Sequence, residues 1–151
     1  MMKFNCILLV VSDLIVSREL YEDILGLTLD MDLGENISYK EGIALHEKGH
    51  FQSLIDKSVS LTQSNCYELY FEEDEIEAIY QVICDKYELV HELRHQPWHQ
   101  KVFRFYDNDK HLIEIGESMR AVVRRLSENY THKTISEMIG MSLTFVDEVL
   151  V

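Results

Sequence analysis

Histidines 91, 95 and 99 stand four residues apart, a spacing that on a helix would line three imidazoles along one face, as a shared metal site requires. Pro97 falls between the second and third, and residues 87 to 93 read as a strand, so no helix carries the stripe and the spacing reads as accidental. A denser group of reactive side chains follows in Trp98, Arg104, Asp107, Asp109, His111 and Glu114. An arginine set among aromatic strand residues calls for carboxylates around it when half-buried, and Glu68 and Glu114 are the partners at hand. Cys6, Cys66 and Cys84 show neither paired nor knuckle spacing, and an odd count argues for reduced thiols in a cytoplasm rather than a disulfide framework.

The elements that position these residues come in a repeated order. Lys3 to Val11 is an apolar, β-branched run, Ser12-Asp13 supplies a helix cap, and Leu14, Leu20, Tyr21, Ile24 and Leu25 follow at helical spacing up to Gly26. Three short strands are expected next, over Leu27 to Leu33, Ile37 to Lys40 and Ile43 to Glu47, with glycine turns between them. The order then recurs. Cys66 to Glu72 alternates as a strand, Glu73-Asp74-Glu75 precedes a helix opening at Ile76, and Tyr87 to Leu93, Lys101 to Tyr106 and His111 to Gly116 form a second set of three. Residues 49 to 65 read as a polar loop joining the two. The pattern is α+β, two βαβββ modules over about 3–48 and 66–117 in a domain of residues 1–117, followed by a helical extension over 118–151.

Composition sets limits. Of 151 residues, 46% are hydrophobic and 27% charged, which is enough apolar material for one packed domain without staples. The net charge of −13 lies wholly in residues 1 to 117, where 10 Lys and Arg face 23 Asp and Glu. Such a surface repels phosphate backbones, so nucleic acid is not an expected partner. The apolar run Ile7 to Val11 is too short for a bilayer, and no membrane partner is expected.

Three stretches resemble the vicinal-oxygen-chelate superfamily of glyoxalases, bleomycin-resistance proteins and dioxygenases. Val11-Ser12-Asp13-Leu14 with Ser17, Tyr21 and Leu25-Gly26-Leu27 looks like that family's opening module. Glu68-Leu69-Tyr70-Phe71-Glu72 with Asp74 and Ile76 is similar to the start of its second module. Phe103 to Glu114 resembles its closing hairpin, although Asn108 and Lys110 stand where the family's turn carries Pro and Gly. The resemblance covers roughly residues 3 to 117, and it implies a curved mixed sheet around an inter-module cavity.

It also implies a ligand set. In the metal enzymes of the family one divalent ion takes a residue from each of four strands, and the matching places here are Cys6, His46, Glu68 and Glu114. Strand parity agrees for two of them: with Ile43, Leu45, Ile113 and Ile115 packed inward, His46 and Glu114 face the cavity. Thiolate, imidazole and carboxylates would hold zinc, nickel, manganese or iron, with Glu114 or Glu68 moving a proton in a lactoylglutathione-lyase-like lyase or isomerase reaction. Only Glu114 matches the usual residue type. The metal-free reading makes the cavity a pocket for a flat, drug-like compound lined by Tyr70, Trp98, Tyr106 and Phe103 or Phe105, with Arg104 meeting an acidic group.

In the extension, helices are expected over Met119 to Asn129, Thr134 to Ile139 and Leu143 to Val151. Ile135 to Ser142 with Val146 and Leu150 looks like a helix-turn-helix core, which suggests a transcriptional regulator. The last helix, however, has two acids and no Lys or Arg to meet DNA, which favours a packing or dimer-stabilising role in a homodimer.

Overall fold

A computed structural model of the chain describes every residue from Met1 to Val151 and divides it into two compact units. The first holds Met1–Asn65 together with Asp107–His111; the second holds Cys66–Tyr106 and Leu112–Val151.

Unit one is a βαβββ module. Strand β1 (Ile7–Val11) leads into α1 (Leu14–Arg18), which is capped by Asp13 accepting from the amides of Ile15 at 2.8 Å and Val16 at 3.2 Å. The sequence predicts a regular helix to Leu25, but residues Glu19–Ile24 form a π-helical turn, with the Leu25 amide reaching back to the Leu20 carbonyl. In that wider turn the adjacent Leu20 and Tyr21 are both fully buried. Gly26, at φ +74°, ends it. Strands β2 (Leu29–Asp32), β3 (Asn36–Tyr39) and β4 (Ile43–Glu47) complete a sheet ordered β1-β4-β3-β2, with β1 parallel to β4 and the rest antiparallel.

Helix α2 (Lys48–Ile55) corrects the loop expected from residue 49 onward. Glu47 caps it, accepting from the amides of Gly49 and His50 at 2.8 and 2.7 Å. A cap placed on the last residue of a strand, ahead of a helix-weak glycine, is easily read as loop.

Unit two repeats the order with β5 (Ser64–Glu73, begun just within unit one), α3 (Ile76–Cys84), β6 (Glu88–His95), β7 (Lys101–Tyr106) and β8 (His111–Glu117), in a sheet ordered β5-β8-β7-β6. Phe103 and Phe105 register with Ile115 and Ile113, and all four are essentially fully buried. Tyr80 of α3 meets the Phe103 ring edge-on at 5.1 Å, and Ile76 and Ile83 are buried with it. This is the packed face of the sheet, so neither phenylalanine lines a pocket.

The extension forms α4 (Met119–Leu126), α5 (His132–Ile139) and α6 (Leu143–Leu150), around their own core of Val122, Val123, Leu126, Ile135, Ile139, Val146 and Val149. Thr131 and Ser142 cap the last two, and Gly140 at φ +70° makes the turn between them. No helix of the chain is long and apolar enough to cross a membrane.

Candidate functional site

Alternation along β7 and β8 sends Val102, Arg104, Tyr106, Leu112, Glu114 and Gly116 to the face opposite the phenylalanines. Arg104 lies directly across from Glu114 and forms an ion pair with it. Its Nε donates to Glu68 Oε2 of β5 at 2.8 Å, and one terminal nitrogen donates to His91 Nε2 of β6 at 3.2 Å. Four strands thus converge on one guanidinium. Since Arg104 can only donate, His91 accepts through Nε2 and carries its proton on Nδ1, which donates to the Glu92 carbonyl at 2.8 Å.

The two carboxyls are driven apart electrostatically. Burial pushes Glu114, only 6% exposed, above the ordinary carboxylate range; Arg104 opposes this and the neighbouring Glu68 adds to it. Hydrogen bonding from Arg104 holds Glu68 below that range against a smaller desolvation penalty. Glu114 is thereby the weaker acid of the two and Glu68 the stronger.

Beside this cluster on the same unit, Trp98 Nε1 donates to Gln100 Oε1 at 2.8 Å, Gln100 Nε2 donates to Tyr70 Oη at 2.9 Å, and Tyr70 Oη donates to Glu72 at 3.1 Å. Trp98 and Tyr70 remain 44% and 48% exposed, which leaves their faces open to a ligand. Tyr106 is buried. Gln100 was not singled out from the sequence, and His91 only as part of a histidine spacing read as accidental; the partner demand of an indole N–H and of a guanidinium is the signal that points to these roles.

The other two sequence-derived ligands, Cys6 and His46, belong to unit one. His46 is buried in unit one, where Asn36 meets its Nδ1 at 2.9 Å and His50 its Nε2 at 2.8 Å. Burial, followed by the charge of His50, lowers its affinity for a proton. Cys6 lies just before β1, beside a 260 Å³ surface pocket with Asn5, Asp30, Ser38, Tyr39, Lys40 and Gly42. Val10 is the residue opposite His46, so Cys6 is four positions, about 13 Å, down the strand from it. One ion cannot take both.

Two relations place the chain among known proteins. Residues 4–120 match the family model of the glyoxalase-like domain. The chain belongs to the glyoxalase-like domain family. A protein of unknown function from Agrobacterium tumefaciens is similar at 37% identity and a TM-score of 0.68, over 78% of this chain and 94% of that one. A glyoxalase-related enzyme from Fulvimarina pelagi shares the fold at 17% identity and a TM-score of 0.66, over 79% and 90% of the two chains. A genomically encoded fosfomycin resistance protein from Listeria monocytogenes does so at 19% and 0.57, over 78% and 94%. No curated protein matches. The glyoxalase-like match ends at residue 120, so almost all of the helical extension lies outside the family domain.

Members of the superfamily often use divalent metals, and the donors here can be tested against that use. No three His, Cys, Asp or Glu side chains gather as a metal site. Glu68 and Glu114 already enclose a cation, the Arg104 guanidinium. The quartet of Cys6, His46, Glu68 and Glu114 does not fit one ion.

Proposed function

We propose that this glyoxalase-like protein binds a small, flat, cationic molecule without a metal, against the exposed Tyr70 and Trp98 side chains beside Arg104 on its second sheet. The observation that carries the reading is Arg104 set between Glu68 and Glu114, where it supplies the positive charge that a metal would bring. Glu68, His91 and Glu114 engage that guanidinium, so it is not offered to an acidic ligand as the sequence suggested. The nearby excess of carboxylate, from Glu68, Glu72 and Glu114, favours a cation instead. Trp98 and Tyr70 offer aromatic faces over which a flat cation gains stacking and cation–π attraction.

Proflavine, a flat aromatic cation, is a suitable probe in calorimetric titration against protein dialysed with a chelator. Binding that weakens with salt is the expected result. Binding that appears only after zinc, nickel, manganese or iron is restored would overturn the metal-free reading in favour of a metal-dependent lyase or isomerase.

The opposed carboxyls favour one extension of this reading. A bound molecule would be transformed with Glu114 as proton donor and Glu68 as base. Glu114→Gln would then abolish turnover while weakening binding only by the loss of one carboxylate among three, whereas turnover that falls no further than binding would count against the catalytic role.

A further inference from the structure

The helical extension makes a specific attachment beside the Trp98–Gln100–Tyr70 chain. Arg125 of α4 grips Glu117 with two nitrogens, Nε to Oε1 at 2.9 Å and a terminal nitrogen to Oε2 at 2.7 Å. That terminal nitrogen also donates to the His99 carbonyl at 2.7 Å. His99 sits at φ +67°, a left-handed conformation that is strained for a residue bearing a side chain and persists only when its surroundings hold it. Glu117 in turn accepts from the Lys101 amide at 3.2 Å and, through its carbonyl, from Gln100 Nε2 at 2.8 Å. Arg125 therefore braces both sides of Gln100. Gln100 is 5% exposed, and its amide is shared among Trp98, Tyr70 and Glu117.

Gly116 completes the arrangement. A methyl group there would meet Gln100 Nε2 at 2.7 Å and the Tyr70 ring at 3.0 Å, so the close approach of amide and phenol depends on the absence of a side chain.

We infer that Arg125 is a positioning residue for the ligand face: the C-terminal helices, lying almost entirely outside the family domain, set the Trp98–Tyr70 aromatic wall through Glu117, His99 and Gln100. The inference rests on the proposed ligand face, but its first readout needs no ligand. Trp98 is the sole tryptophan, so its emission and its quenching by acrylamide report this loop alone.

In the full-length protein, Arg125→Ala is expected to free the indole N–H. At 44% exposure the indole has room for about a twofold rise in collisional quenching. Proflavine affinity is expected to fall about fivefold, the size of one exposed cation–π contact. Gly116→Ala should produce the same Trp98 change without touching the extension. Arg124→Ala, which removes an exposed pair with Asp74, should leave Trp98 as in the wild type. Arg125→Lys, which keeps the charge and loses the fork, should fall between.

Unchanged Trp98 quenching in a folded Arg125→Ala protein overturns the inference, as does an equal change in Arg124→Ala. Failure of wild-type protein to bind proflavine defeats the proposed ligand instead, and leaves the Trp98 comparison to decide the positioning role.

Discussion

Replacing Arg104 with methionine keeps most of the side chain's volume and removes its charge. Glu114 would then be left 6% exposed beside Glu68, a second carboxylate. The cheapest relief at neutral pH is protonation. Holding a carboxyl with an ordinary value of 4.5 in its acid form at pH 7 costs about 3 kcal/mol, at about 1.4 kcal/mol per pH unit. Two features reduce this. Burial already holds Glu114 above its ordinary range in the wild type, and Arg104 and Glu68 keep 26% and 34% of their side-chain surface in water, which screens the lost attraction. A loss of about 2 kcal/mol is therefore expected at pH 7, below the roughly 3–5 kcal/mol that deleting one partner of a fully buried pair costs. Near pH 4.5 the acid form is available at little cost, and the loss should shrink below about 1 kcal/mol. Urea unfolding followed by Trp98 emission, which reports the unit that contains Arg104, measures both. Equal losses at the two pH values would mean that Arg104 contributes packing rather than charge, and a more stable variant at pH 7 would refute the electrostatic argument outright.

Two further outcomes follow from the same structure. Because the folded-state affinity of Glu114 for a proton is raised, its contribution is full below about pH 4.5 and is lost as pH rises through the higher folded value; Glu114→Gln should flatten stability over that window, and an unchanged pH profile would count against it. Asp107 is buried and accepts from Tyr21 Oη at 2.8 Å, His111 Nδ1 at 2.7 Å and the amides of Asp109 and His111 at 2.9 and 2.8 Å. Asp107→Ala should cost about 3–5 kcal/mol and Tyr21→Phe only about 1 kcal/mol, since the first strands several buried donors and the second removes one hydrogen bond. Similar losses in thermal unfolding of the two variants would contradict that assignment.

The strands, the first cap and the three terminal helices were legible because local signals carry them. β-Branched runs, Asp13 before the first helix, and glycines at turns each act over a few residues. The π-helical turn was not legible, since an extra residue per turn leaves the apolar pattern of Leu20, Tyr21 and Ile24 compatible with an ordinary helix. Strand parity turned Glu114 toward the cavity side, while Arg104 was read only as an arginine in need of carboxylates. What fixed Arg104 was a register across four strands, including irregular pairing around His91 that no count of alternating residues reveals. The separation of Cys6 from His46 is likewise a matter of register, invisible until Val10 is known to face His46.

The turn Asp107–His111 belongs to the first compact unit although it is encoded more than forty residues after the rest of that unit. Tyr21 finds its acceptor there, and Ser12 donates through its amide and hydroxyl to Asp109 at 3.1 and 2.6 Å. During synthesis, therefore, a ribosome that has finished residue 65 has made almost the whole unit but not these acceptors. The first module waits for the Asp107 and Asp109 acceptors until most of the second module has been made. Amino-terminal fragments ending between the two modules are accordingly expected to be poor folders, because the first unit is completed only when synthesis is midway through the second.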